Sequence, residues 1–130
     1  MKSTSRFKKS KSLKSLKAKA WAAFSLWIRN RGSRDGMNTC VTCGVVKPIA
    51  ELQAGHFIPG RHLAVLFDPL GVYPQCVGCN VFKHGNSIPY TLWMQKKYGP
   101  DFVEKMLRES HRIVKLSRDD YEKLIALYSA

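Results

Sequence analysis

The sequence predicts a small α+β domain with helices on either side of a compact core. Three observations predict it. All four cysteines of the 130-residue chain fall in two Cys-x-x-Cys pairs, Cys40/Cys43 and Cys76/Cys79. Apolar residues recur at helical spacing before the first pair and, between capping and stop signals, after the second. The stretch between the pairs carries short apolar runs broken by Pro and Gly, the pattern of short strands and their connections. A chain of this length suits one domain plus a tail, and so small a core gains from a metal cross-link.

Twenty-two Lys and Arg stand against nine Asp and Glu, a formal net charge of +13. Half of the Lys and Arg lie in residues 1–34, which hold no acid. Such a chain suits a polyanion partner, most commonly nucleic acid. Charge alone does not separate DNA from RNA, nor a binding surface from a solubilising tail. No run reaches the roughly 18 apolar residues of a membrane span. The basic N-terminus lacks a following apolar stretch and a cleavage site, which argues against a secretory signal. A cytoplasmic protein is expected, and there paired cysteines hold metal more often than they form disulfides.

Residues 1–12 are rich in Lys and Ser and predict a disordered basic tail, followed by one domain over 13–130. Leu13, Leu16, Ala20, Ala23, Phe24 and Trp27 then recur at helical spacing, predicting a helix over 13–31 that stops at Gly32. Lys14 and Lys17 fall mostly off that stripe, so the helix can dock on the domain while its lysines reach phosphates. The core over 38–86 opens with a tight knuckle at 38–46. Residues 48–58 read as a short strand or two stopped by Pro59-Gly60, and 61–75 as an irregular connection containing Pro69, Gly71 and Pro74. Residues 76–84 form a second knuckle and a short helix stopped by Gly85.

Residues 87–130 read as three short helices. Ser87 can cap the first, with Pro89 in its opening turn and Gly99 beyond its end. Pro100-Asp101 opens the second, and Ser117 with Asp120 resembles a capping signal for the third. Leu107, Ile113 and Val114 in the second, with Tyr121, Leu124, Ile125 and Tyr128 in the third, are the expected packing positions.

Zinc takes four soft or borderline ligands in a tetrahedron, and each Cys-x-x-Cys turn sets two thiolates on one side of the ion. Cys40, Cys43, Cys76 and Cys79 together fill the shell, so the zinc would be structural, with no open position for catalysis. Four unrelated buried or redox cysteines would leave the matched spacing unexplained. Between the knuckles lies Ala54-Gly55-His56-Phe57. A single His beside a strand is commonly structural, but here the second knuckle runs straight into Asn80, Lys83 and His84. On a helix starting at Cys79, Asn80 and His84 share one face. Zinc would hold that face against the strand carrying His56. Arg61, His62 and Lys83 are candidate phosphate contacts or simply solvated residues. Trp21, Trp27 and Trp93 could stack on bases, although their helical spacing reads first as core packing.

The stretches KAWAAFSLWIRNRG, CVTCG, LQAGHFIPGR, LFDPLGVYPQCVGCNVFKHGN and YTLWMQKKYG follow one another over residues 19–99. In them the chain resembles the Rap/NinG family of lambdoid phage recombination endonucleases and the wider ββα-metal, or His-Me finger (HNH-type), nuclease motif. The resemblance implies a ββα-metal core with structural zinc on Cys40, Cys43, Cys76 and Cys79. It implies His56 as the general base, a role suited to an imidazole whose pKa lies near neutrality. Asn80 would be a ligand of a catalytic Mg²⁺ or Mn²⁺ ion, and His84 a second.

The implied substrate is branched DNA such as Holliday junctions and D-loops, with duplex contacts through Lys14, Lys17, Arg61 and Lys83. A homodimer with two active sites, phage or host recombination proteins as further partners, and action in the host-cell cytoplasm also follow from the resemblance. Two positions depart from the pattern. Gly55 stands where many such nucleases have an acidic or His metal ligand, and Asp68 is the nearest carboxylate to replace it. Gly71 stands where the family's motif Asn would orient the His ring. The competing expectations are a non-catalytic zinc-stabilised nucleic-acid-binding module and an RNA-binding zinc-knuckle protein of ribosomal type.

Overall fold

The computed structural model describes residues 12–130. The expected basic tail lies outside the described residues except for Ser12, whose hydroxyl accepts from Ser15 N at 3.1 Å and caps the first helix. That helix, α1 (Leu13–Asn30), buries Leu16, Ala20, Phe24 and Ile28. Their four-residue spacing makes one apolar stripe. Lys14 is exposed and Lys17 half-buried.

Two small antiparallel sheets follow. β1 (Met37–Thr39) pairs with β2 (Val46–Pro48), and β3 (Leu52–His56) pairs with β4 (Val72–Cys76). In the second sheet Ala54 stands opposite Pro74 and His56 opposite Val72. β4 corrects the reading of residues 61–75 as an irregular connection throughout. Pro74 argued against a strand because it lacks an N–H. Its carbonyl points away from β3 to accept from Val41 N at 2.9 Å, so the Ala54–Pro74 pair is one that needs no N–H from residue 74. Between the strands lies the four-residue helix α2 (Leu63–Leu66).

The second knuckle continues into a π-helical turn, Gly78–Phe82. The helix expected to reach His84 therefore ends sooner, and His84 sits beyond it at φ 50°. Next come α3 (Ser87–Tyr98), α4 (Pro100–Glu109) and α5 (Arg118–Ser129). Ser87 is the first residue of α3 and not its cap; Asn86 precedes it in the left-handed region at φ 49°. The Ser117–Asp120 capping box is present on α5, with reciprocal bonds of 2.8 and 3.1 Å. α4 ends before Ile113, which is 92% exposed, and its buried contacts are Val103 and Met106. The packing role expected of Ile113 fails because the helical period stops at Glu109.

α1 is the spine. Phe24 and Ile28 pack on Ala54 and Val72 of the β3–β4 sheet, while Leu16 and Ala20 pack on Tyr121 of α5. A separate cluster joins Phe57 and Ile58, just past β3, to Tyr90, Met94, Val103 and Met106 of α3 and α4. The strand that carries His56 is thus wedged between two helical layers. No described helix is long and apolar enough to cross a membrane.

Candidate functional site

The first knuckle is the β1–β2 turn. Cys40 N donates to Val45 O at 2.8 Å and Gly44 N to Cys40 O at 2.9 Å, a tight loop that requires Gly44 at φ 82°. β4 delivers Cys76 from the other side, and the π-helical turn delivers Cys79. All four Sγ atoms lie within 4.8 Å of one another. Cys43 Sγ and Cys76 Sγ are 3.7 Å apart. The edge of a tetrahedron with Zn–S bonds of about 2.3 Å is about 3.8 Å. The cluster can hold a zinc ion.

Its electrostatics favour a cation. Burial works against ionising Cys40, but hydrogen bonds from the Thr42 hydroxyl and from backbone N–H groups outweigh it and bring the thiol down to about 6. Cys43 goes the other way, up to about 12. The Val45 backbone favours its thiolate, but burial and the three neighbouring thiols prevail. Four crowded sulfurs cannot all ionise unaided, and a divalent ion removes the conflict.

A second feature is a cleft of about 310 Å³ lined by His56, Ile58, Pro59, Gly60, Arg61, Asn80, His84 and Gly85. It brings together His56, Asn80, His84 and Arg61 of the residues singled out from the sequence. Asp68 is elsewhere. It lines a different cavity with Lys105 and Arg112, and its carboxylate accepts from Leu70 N at 3.0 Å. Lys83 is exposed beside the cleft without lining it. Lys14 and Lys17 lie on the first turns of α1, and neither lines the cleft.

Each cleft residue is held by the fold. His56 Nε2 lies 3.0 Å from Leu66 O, and since a carbonyl only accepts, Nε2 carries the proton and Nδ1 keeps its lone pair. The ring stacks on Trp21 at 5.1 Å between centroids and 18° between planes. On Trp21 also rests the Arg61 guanidinium, 4.9 Å from the ring centroid. Burial, with a smaller contribution from the Arg61 charge, depresses the His56 pKa below its ordinary 6.5 despite the Leu66 bond. The imidazole is therefore mostly neutral at pH 7. Asn80 Nδ2 donates to Gln53 Oε1 at 2.7 Å, which leaves its carbonyl oxygen as the open donor to a metal. Asn80 is thereby braced to β3, the strand that carries His56. Tyr90 binds the same strand, donating to Gly55 O at 2.6 Å.

Sequence reasoning missed Gln53, Leu66 and Gln75, and weighed Trp21 only for bases or core. Gln75 is fully buried; its Nε2 donates to Thr42 Oγ1 at 3.0 Å and Gly85 O at 2.9 Å. Thr42 in turn lies 3.3 Å from Cys40 Sγ, so one side chain ties the cysteine cluster to the cleft wall. Nothing in the spacing of these residues marks them.

The sequence profile of the family described as "Bacteriophage Lambda NinG protein" matches residues 1–130. The chain is 31% identical to protein ninG of Escherichia phage 933W over 94 residues, 72% of this chain and 45% of the relative. Protein ninG of Salmonella phage P22 is 31% identical over 94 residues, 72% of this chain and 44% of the relative. Protein ninG of Escherichia phage lambda is 30% identical over the same share of each. The match thus spans under half the length of these curated relatives. No solved structure matches significantly. With the profile covering its whole length, the chain belongs to the NinG family of lambdoid phage proteins.

Proposed function

We propose that this chain is a metal-dependent, structure-specific endonuclease that cleaves branched DNA in phage recombination, built on a ββα-metal core whose cysteine cluster holds structural zinc. The observation that carries the reading is the single cleft shared by His56, Asn80, His84 and Arg61. His56 accepts the proton of the attacking water on Nδ1, while Leu66 O and the Trp21 ring keep the imidazole from turning. Arg61 at the cleft rim holds a non-bridging phosphate oxygen. The Asn80 carbonyl and His84 would hold the metal, and this mixed oxygen and nitrogen pair suits Mn²⁺ better than Mg²⁺. Such an ion supplies charge stabilisation to the phosphate and the leaving 3′ oxygen. Hydrolysis then leaves a 5′ phosphate. Cutting both strands of a junction favours a two-fold dimer in the host cell.

A second reading, a zinc-stabilised module that binds nucleic acid without cutting it, is favoured by one observation: among the described residues no carboxylate lines the cleft. Nicking of a synthetic four-way junction with Mg²⁺ or Mn²⁺ separates the two. The nuclease reading expects wild type to nick and His56→Ala to lose about 10²–10⁴-fold in rate. Tight junction binding with no metal-dependent nicking would favour the binding module.

A further inference from the structure

We infer that Phe82 is a wedge that inserts at the branch point of bound DNA, an assignment that rests on the branched-DNA reading above. Phe82 is 76% exposed, the aromatic member of a run of exposed apolar side chains with Val77, Val81 and Ile88, and such a patch marks an interaction surface more than a lone apolar residue does. It is not on a loose loop. It ends the π-helical turn Gly78–Phe82, and such turns recur at functional sites. Lys83 N donates to Gly78 O at 2.9 Å and Gly85 N to Cys79 O at 2.9 Å. Asn86 Nδ2 lies 3.5 Å from Cys79 Sγ, which anchors the far side of the turn to the cysteine cluster. The fold therefore holds the ring outward.

Its neighbours locate it. Asn80 and His84, two residues to either side, both line the cleft with His56. A strand whose phosphate lies in the cleft would have its bases within reach of the ring. Glu51 lies by the start of the turn, in a hollow with Lys47, Val77 and Gly78, but basic residues prevail along the chain here. From Leu52 to Pro100 the only acid is Asp68, against Arg61, Lys83, Lys96 and Lys97, a balance that suits DNA. Opening a continuous duplex step for an apolar wedge costs a few kcal/mol of stacking. At a branch point the stack is already interrupted, so the ring gains a base face without that cost. Phe82 would thereby convert a general affinity for phosphates into a preference for branches.

The test uses the full zinc-loaded chain without added Mg²⁺ or Mn²⁺, so that the DNA stays intact. The probe is a four-way junction carrying 2-aminopurine beside the branch, with a continuous duplex of the same sequence as reference. Wild type should brighten the probe as base stacking gives way to the Phe ring. Phe82→Ala should lose that signal and bind the junction about 5- to 150-fold more weakly, the worth of one stacked base, while its duplex affinity hardly changes. Phe82→Trp should keep the affinity and quench the probe. The wedge is overturned if Phe82→Ala changes neither signal nor affinity, or weakens junction and duplex alike. It is equally overturned if sedimentation shows that the variant has turned a dimer into a monomer. Nicking with metal is scored separately. A probe response without any nicking sinks the nuclease reading alone, and normal nicking without a probe response sinks the wedge alone.

Discussion

The side chain of Gln75 fills the space over Gly55: a methyl group on that glycine would stand 2.6 Å from Gln75 Cδ and closer still to Oε1. Position 55, where the nuclease motif proposed above would place a metal ligand, is therefore closed to any side chain here, because the strut between cysteine cluster and cleft occupies it. Gly55→Ala should cost about 2–4 kcal/mol, since Gln75 must leave both hydrogen bonds to make room. Gly55→Asp should be no better and should not tighten metal binding. Thermal unfolding and metal titration of both variants check this, and a stable Gly55→Asp with higher metal affinity would refute it.

The lowered pKa of His56 makes a pH prediction with a definite sign. A base that must be neutral works above its pKa, so the acid limb of the rate profile should lie below pH 6.5. Burial is the main cause and Arg61 a lesser one. Arg61→Gln should therefore move the limb upward without carrying it past 6.5, besides lowering the rate. The unfolded chain binds the proton more readily than the folded one. The stability contributed is thus complete above 6.5 and lost as pH falls from there through the depressed folded pKa. Rate profiles and melting points between pH 5 and 8 would read both effects.

Asn80 is braced by Gln53, whereas Asp68 faces another cavity. Gln53→Leu should raise the metal concentration needed for half-maximal nicking about 10- to 100-fold, as loss of an outer-shell partner commonly does. Asp68→Asn should leave it unchanged. The reverse ranking would mean that the cleft is not where the metal binds.

Removing one thiolate should undo the scaffold although none of the four cysteines lines the cleft. Wild type should carry one zinc ion per chain by metal analysis, and Cys79→Ser is expected to lose it and with it both nicking and the cooperative melt. Cys79 is buried and supports the turn that presents Asn80 and Phe82, so its loss should act on both together. A Cys79→Ser protein that kept normal nicking and a normal melt would rule out the clamp.

Much was legible from local signals. The α1 stripe, the Ser117–Asp120 box and the stop at Gly99 are short-range features, and the structure keeps them, except that Leu13 of the stripe is 50% exposed in the first turn and Ile28 is buried in the last. Where local signals were contradicted, long-range partners decided. β4 formed despite Pro74 because that carbonyl had Val41 to bond. The post-knuckle helix took a π-helical turn, and His84 reached the cleft from beyond it.

The sequence by itself determined the paired cysteines, the basic charge, the helices and the family, because spacing and composition are properties of neighbouring residues. Tertiary structure alone decided how His56 is held: Leu66 orients the ring where Gly71 could not, and Trp21 stacks beneath it from 35 residues upstream, in the fold's first helix. It alone decided that Asp68 stays out of the cleft and that Gln75 excludes a side chain at position 55. The physical reason is that ring orientation, exclusion and burial depend on which distant residues meet, and chain spacing does not record those meetings.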